Sequence, residues 1–245
     1  PFNISSGVVG FTAVDGDQQV SLSWSIPSNL GGLPLHQYKL LEITTNAAEI
    51  LDPSTTSYVW NSLTNGVSYS FNMIPVTIDG YGDTWDGVGV SLIDQIPFTI
   101  PNPPTNLNAI ASNQSITLSW DAPSDNGRAI TGYKILITST SPPIKTYYVN
   151  SDLSQTIYGL TNGTTYTFKV SALNEAGYGN YSTTISAIPF TAPSEPLNFS
   201  VFAGDTQITA TWSPSQINGG YSITQYVVSN TDEFGSSSST TVLAS

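Results

Sequence analysis

The chain has 245 residues and is 39% hydrophobic, which is enough for two or three small packed domains. Five Lys and Arg residues face 17 Asp and Glu residues, and the resulting net charge of -12 disfavours binding to nucleic acid or anionic membranes. The absence of cysteine excludes disulfides, thiol chemistry and cysteine-ligated metals. No apolar run approaches the ~20 residues of a membrane-spanning helix.

The first clear strand prediction belongs to a pattern that occurs three times. Residues 20–24, 116–120 and 208–212 alternate apolar and hydroxyl side chains and end on Trp24, Trp120 and Trp212, at offsets of 96 and 92 residues. Alternation with a period of two places the apolar side chains on one face of a strand. Three half-buried strands are therefore predicted, each with its tryptophan facing the interior.

A tyrosine opens the next predicted strand about a dozen residues after each tryptophan. These residues are Tyr38, Tyr133 and Tyr226. A turn that favours positive φ precedes each of them. The three turns are Gly31-Gly32, Asn126-Gly127 and Gly219-Gly220.

A third motif, Leu-x-x-x-x-x-Tyr-x-Phe, covers residues 63–71 and 160–168 and has no third copy. Between copies, residues 96–99 and 188–191 share the sequence Ile-Pro-Phe-Thr and are followed by further prolines. Because proline fixes φ and favours extended backbone, these segments are predicted to be short, stiffened linkers.

These three motifs together resemble the fibronectin type III repeat. The resemblance implies an all-β fold of tandem immunoglobulin-like β-sandwiches, with the third one incomplete. It divides the chain into repeats at 1–100, which begins in a linker, 101–192 and 193–245. It also implies a structural core and, at Leu63 with Tyr69 and Leu160 with Tyr166, a corner in which the tyrosine hydroxyl bonds to nearby backbone. The implied core residues are Trp24, Tyr38, Leu63, Tyr69, Trp120, Tyr133, Leu160, Tyr166, Trp212 and Tyr226.

The third repeat has about 50 residues where a sandwich of this type needs ~90 to 100. Its remaining strands either follow in a longer native chain or are donated by another chain. We favour the first explanation.

One loop in the first repeat carries residues that could bind a ligand. Asp79, Asp83 and Asp86 are calcium candidates, and Tyr81 or Trp85 could stack on a sugar. The equivalent loop of the second repeat, residues 174–180, keeps only one carboxylate, so an ordinary turn is favoured.

No catalytic, cofactor or metal site is predicted otherwise. His36, the only histidine, has no nucleophile motif near it and is interpreted as a surface residue. Arg128 is followed by Ala129 and Ile130, so the Arg-Gly-Asp tripeptide that some relatives of this family carry is absent.

The sequence thus favours a non-enzymatic, structural or adhesive segment of a larger extracellular, cell-envelope or virion surface protein. It would act as a rigid spacer and an array for protein–protein interaction. Its partners would be other protein subunits or surface proteins, with glycans as an alternative, and no nucleic acid or membrane insertion is expected. The scarcity of Lys and Arg favours a microbial or viral host. The alternative function is an accessory spacer or carbohydrate-binding module of a secreted polysaccharide-degrading enzyme.

Overall fold

The computed structural model describes residues 6–78, 84–86, 93–138 and 145–244, and within these residues it contains strands and no helix. The first repeat holds β1 (Val9–Gly16), β2 (Gln19–Ser25), β3 (Leu35–Glu42), β4 (Ala47–Leu51), β5 (Ser57–Trp60), β6 (Tyr69–Ile78), β7 (Thr84–Asp86) and β8 (Ile93–Gln95). The second holds β9 (Thr105–Ser112), β10 (Ser115–Asp121), β11 (Gly132–Thr138), β12 (Lys145–Val149), β13 (Ser154–Tyr158), β14 (Tyr166–Asn174), β15 (Gly177–Tyr178) and β16 (Ile185–Ala187). The third holds β17 (Leu197–Gly204), β18 (Gln207–Ser213), β19 (Gln225–Thr231) and β20 (Ser237–Leu243).

The alternating sequence of β2 and β10 explains their place in the fold. Val20, Leu22 and Trp24 are buried on one face of β2, while the serines between them are exposed. Ile116, Leu118 and Trp120 are likewise buried on one face of β10, while Thr117 and Ser119 between them are half-buried. Burying one apolar face stabilises by ~25 cal/mol per Å² of apolar surface, so each strand must be covered by a second sheet.

The first and second repeats share one sheet topology. One antiparallel sheet has the order β1-β2-β5, and the other has β4-β3-β6-β7 with β8 also paired to β6. In the second repeat these become β13-β10-β9 and β12-β11-β14-β15, with β16 paired to β14. The core of the first repeat clusters Val20, Trp24, Tyr38, Phe71 and Met73.

The third repeat consists of two separate hairpins, β17-β18 and β19-β20. Trp212 and Tyr226, implied core residues, are half-buried here and not buried, because no further strand covers them among the described residues. An opening of about 470 Å³ is lined by Trp212, Tyr226 and Leu243.

Contacts along the chain divide it into two compact units. The first unit contains Pro1–Asn102, Ser124–Thr131 and Ala172–Asn180. The second contains Pro103–Pro123, Gly132–Ser171 and Tyr181–Ser245. Two loops of the second repeat therefore pack within the first unit, and the linker at 97–102 lies with them.

Candidate functional site: the linker joints

The ligand-binding loop suggested by the sequence falls mostly outside the described residues. Asp79, Tyr81 and Asp83 are not described, and for Trp85 and Asp86 only the backbone of β7 is. Calcium or sugar binding by this loop stays a prediction. No group of three or more potential metal-ligating side chains occurs elsewhere in the described part of the chain.

The implied core residues of the first two repeats lie between their sheets. Trp24 is 4% exposed and Trp120 is 3% exposed, and each meets its strand tyrosine edge to face. The ring centroids are 5.7 Å apart for Trp24 and Tyr38, and 5.3 Å apart for Trp120 and Tyr133. Burial raises the pKa of both tyrosine hydroxyls, so they stay protonated at neutral pH.

The corner tyrosines hold the turns that follow the two buried leucines, Leu63 and Leu160. The Thr64 amide donates to the Tyr69 hydroxyl at 2.9 Å, and the Thr161 amide donates to the Tyr166 hydroxyl at 3.0 Å. Each hydroxyl thus accepts from a backbone amide that lies outside the strands and has no partner in a sheet. The chain is thereby fixed just before an Asn-Gly turn.

Each Asn-Gly turn is also tied to the hairpin at the start of its repeat. The Gln18 amide donates to Oδ1 of Asn65 at 2.9 Å, and the Gln114 amide donates to Oδ1 of Asn162 at 2.9 Å. The glycine of each turn, Gly66 or Gly163, donates its amide to a proline carbonyl of the linker that follows. These two amides are the starting points of the linker joints.

The first joint is defined as Gly16, Gly66, residues 97–102 and residues 124–128, and four backbone hydrogen bonds connect the linker to the other segments. The Gly66 amide donates to the Pro97 carbonyl at 2.8 Å, and the Phe98 amide donates to the Gly16 carbonyl at 3.2 Å. Thr99 and Asn102 then donate to the carbonyls of Asn126 and Ser124 at 3.2 and 3.1 Å. All of these residues belong to the first unit.

The second joint, defined as Ser112, Gly163, residues 189–194 and residues 217–221, repeats these bonds within the second unit. Gly163 donates to the Pro189 carbonyl at 2.9 Å, and Phe190 donates to the Ser112 carbonyl at 3.2 Å. The Thr191 amide donates to the Gly219 carbonyl at 2.8 Å, and the Ser194 amide donates to the Ile217 carbonyl at 2.9 Å. Each donor and acceptor occupies the position of its counterpart in the first joint.

The close approach in both joints requires glycine. Gly127 has φ +100°, and a Cβ there would lie 2.7 Å from the Pro97 carbonyl oxygen and 2.8 Å from the Gly66 nitrogen. Gly220 has φ +111°, and its Cβ would lie 2.7 Å from the Gly163 nitrogen. Real Cβ atoms do not approach backbone this closely, so neither site accepts a side chain without movement.

The side chains beside the linker differ between the joints. In the first, the Arg128 guanidinium lies 4.1 Å from the Phe98 ring centroid and pairs with Asp15 at 2.9 Å and Glu175 at 3.1 Å. In the second, Tyr221 meets Phe190 edge to face at 5.6 Å. The backbone pattern is therefore constant, while the flanking contact is ionic in one joint and aromatic in the other.

Asn174 completes the first joint from the loop at 174–180, which the sequence analysis compared with the acidic loop of the first repeat. Its buried amide group donates to the carbonyls of Thr99 at 2.8 Å and Asp125 at 2.9 Å. The side-chain oxygen accepts from the Ala176 amide at 2.9 Å. One side chain thus links the linker and the loop that receives it. Neither this role nor that of Arg128 was predicted from the sequence.

One buried carboxylate lies away from the joints. Glu42 ends β3, where burial alone would raise its pKa, but hydrogen bonds from Thr45 and Thr44 outweigh burial and hold the pKa below its ordinary value. The Thr44 amide donates to Oε1 at 2.7 Å and the Thr45 amide to Oε2 at 2.8 Å. Because both oxygens serve the turn, Glu42 has a structural role. His36 is exposed, as expected of a surface residue.

The model for the fibronectin type III domain matches residues 102–188. This stretch is a fibronectin type III domain. The prediction of an all-β chain of tandem sandwiches is confirmed, since the strands of the first repeat follow the topology of this domain. None of the described elements is a helix that could cross a membrane.

Relatives with similarity beyond this fibronectin type III domain include neogenin from Mus musculus, 30% identical over 213 residues, which are 80% of this chain and 14% of neogenin. The kelch domain-containing protein SSO1033 of Saccharolobus solfataricus is 34% identical over 148 residues, or 58% of this chain and 20% of that protein. Protein sidekick-1 of Mus musculus is 35% identical over 125 residues, which are 47% of this chain and 6% of that protein. The chain spans only a small part of each relative. Two of them are animal proteins, and none of the three gives support for a virion protein.

Proposed function

We propose that this chain is a non-enzymatic structural segment of a larger extracellular or cell-surface protein, in which fibronectin type III repeats are spaced by linkers held in one conformation. Protein partners would bind the surfaces that the repeats present. The repeats would meet near residues 97–102 and 189–194. The observation that carries this proposal is the recurrence of the same four backbone hydrogen bonds in both joints.

The bonding of the linkers favours spacing over loose tethering. A free linker of this length would sample many conformations, whereas each linker here is fixed by four backbone bonds and, in the first joint, by Asn174 as well. A net stabilisation of ~1 kcal/mol per hydrogen bond is enough to favour one conformation strongly over the free ensemble. The prolines add to this because they reduce the freedom of the unbonded state.

Only 9% of the residues are charged, so the surface is built mainly from uncharged polar side chains, which suits contact with other proteins. Fold alone does not specify function, so the partner is proposed only as a class. The relatives support this view in one respect, because in each of them the region similar to this chain is a minor segment of a much longer protein.

Distance measurement between two spin labels tests the proposal. The chain lacks cysteine, so Ser68→Cys with Thr131→Cys provides the only two labelling sites, one on each side of the first joint. Both side chains are exposed and both residues belong to the first unit. We expect a narrow distance distribution, and the equivalent pair Thr165→Cys with Thr224→Cys should give a similarly narrow one for the second joint.

A glycine substitution provides the matched control. Gly127→Ala adds a Cβ that collides with Pro97 and should broaden the Ser68–Thr131 distribution. Gly159→Ala introduces a similar positive-φ strain, at φ +73°, but its Cβ meets nothing within 4 Å, so it should leave the width unchanged. A broad distribution in the unsubstituted joint, or equal broadening by both alanines, would refute the fixed linker.

A further inference from the structure

The first repeat contains a third version of the loop that receives the Asn-Gly turn in the two joints. Gly31 and Gly32 have φ values of +68° and +86°, as Asn126-Gly127 and Gly219-Gly220 have positive φ at both residues. Each pair lies six and seven residues before its strand tyrosine. The three loops therefore share two consecutive positive-φ residues at the same distance from the strand tyrosine.

The incoming chain meets this loop in the same way as well. The Ser6 amide donates to the Asn29 carbonyl at 2.8 Å, matching the bonds from Asn102 to Ser124 and from Ser194 to Ile217. The Asn29 side chain accepts from the Gly31 amide at 2.9 Å, as the Ser124 hydroxyl accepts from the Asn126 amide. Two hydrogen bonds of the receiving half of a joint are thus present in the first repeat.

Gly32 differs from Gly127 and Gly220 in what lies next to it. Gly127 and Gly220 are covered by an Asn-Gly turn and a proline carbonyl at distances that leave no room for a Cβ. At Gly32, no atom of the described residues lies within 4 Å of the position a Cβ would take. The residue after it, Leu33, stands where Arg128 and Tyr221 stand in the other loops and carries no charge.

We propose that the Gly31-Gly32 loop is the docking position for the Asn-Gly turn of another fibronectin type III repeat, located directly before this one in the same polypeptide. This inference rests on the proposed function, since it extends the joint to a third copy. The docking turn would donate its glycine amide to a linker carbonyl and cover Gly32 with its backbone. Beside Leu33, the docking repeat is expected to carry an uncharged residue at the position equivalent to Asp15, as the second repeat does at Ala111.

A tethered occupant fits this loop better than a free protein. Two glycine turns make a contact far smaller than the ~1,200–2,000 Å² that stable complexes of free proteins bury. A short linker raises the effective concentration of its neighbour to the millimolar range or above, so a small contact suffices in one chain. Both filled joints involve repeats that are adjacent in sequence.

The test adds the second repeat ahead of the full chain. A copy of residues 101–188 is fused before Pro1, so that Pro1-Phe2 takes the place of Pro189-Phe190. One label is placed at Thr165→Cys of the added copy and the other at His36→Cys, which lies two residues before Tyr38 as Thr224 lies before Tyr226. We expect the distance and width found for the Thr165–Thr224 pair of the unfused chain.

Gly32→Ala in the fusion should roughly double the width of this distribution, because the Cβ would meet the docked turn as at Gly220. In the unfused chain the same substitution should leave the Ser68–Thr131 distance unchanged, which shows that the first repeat still folds.

The outcomes separate the two proposals. A narrow Thr165–Thr224 distribution with a broad fused one would overturn the docking position alone, whereas breadth in both would overturn the fixed linkers themselves. Sedimentation equilibrium of the unfused chain tests whether a second copy of the chain occupies the loop instead. Self-association that Gly32→Ala abolishes would assign the loop to a second copy and contradict docking within one polypeptide.

Discussion

Removal of the Arg128 side chain should loosen the first joint without unfolding either flanking sandwich. Arg128 is the only arginine, and it bonds Asp15, Glu175 and the backbone carbonyl of Gly127 while stacking on Phe98. Arg128→Met keeps an unbranched apolar stem and removes the charge. We expect the linker to open more often, because the charged contacts are lost while the sheets are untouched.

The contacts of Arg128 contribute unequally. The Asp15 pair is the larger, with side chains 26% and 13% exposed, and a hydrogen bond between charged groups is worth ~1.5 kcal/mol at this burial. The stack on Phe98 adds ~0.5 kcal/mol. The Glu175 pair adds no more than ~0.5 kcal/mol, since that carboxylate is 69% exposed. The total is about 2 kcal/mol, and the Asp15 carboxylate is especially sensitive to this loss, because Arg128 bonds its Oδ2 while its Oδ1 has no hydrogen-bond partner among the described residues.

Hydrogen exchange at the Thr99 amide measures this opening directly, because its bond to the Asn126 carbonyl exists only when the linker is seated. Arg128→Met should accelerate this exchange ~30-fold, given that ~1.4 kcal/mol corresponds to a factor of ten. A double-mutant cycle with Asp15→Asn should give a coupling of ~1 kcal/mol, and one with Glu175→Gln less than ~0.5 kcal/mol. Acceleration below ~3-fold, or a Glu175 coupling as large as that of Asp15, would refute this reasoning.

Three further predictions concern the sandwiches. Glu42→Gln should lower the melting temperature of the first repeat at pH 7. Because the folded pKa of Glu42 is depressed, the stabilisation by its carboxylate is present above the unfolded pKa of ~4.3 and is lost as pH falls through the folded pKa. The melting temperatures of mutant and wild type should therefore converge at low pH, whereas Glu49→Gln, at an exposed position, should show no such convergence. Tyr166→Phe should cost ~1 kcal/mol by leaving the Thr161 amide unpaired, and Tyr158→Phe, 73% exposed, should cost less than ~0.5 kcal/mol in calorimetry. Leu118→Ala should cost ~3 kcal/mol, and an undiminished unfolding temperature would contradict its placement in the core.

The sandwich fold could be predicted from the sequence because its signals are local. Alternation through Leu22 or Leu118 reports which face of a strand is buried, and a repeat of about 95 residues reports the domain length. The corner tyrosines were identified because the family motif fixes their distance from a leucine. These features depend on neighbours within a few residues or on a pattern repeated in full.

The joints could be predicted only in part. Proline content indicated stiff linkers, and the Gly-containing turns indicated positive φ, but nothing local reports that Gly66 and Gly127 are in contact. Arg128 and Asp15 are 113 residues apart, and Asn174 reaches a linker 75 residues before it. Such contacts depend on how loops meet after folding. Glu42 was missed for a different reason: its partners Thr44 and Thr45 are close in sequence, but no local pattern shows that the turn buries the carboxylate.

Hydrogen exchange at the amides of Gly66 and Gly163 in the unmodified chain tests the central claim most directly. Both amides lie in exposed turns, and their only described acceptors are the linker carbonyls of Pro97 and Pro189. Fixed linkers predict that both exchange at least ~30-fold more slowly than an unprotected turn amide, and at similar rates because the two joints share one backbone pattern. Exchange of both amides at the unprotected rate would show that the linkers are not held, and would contradict the account.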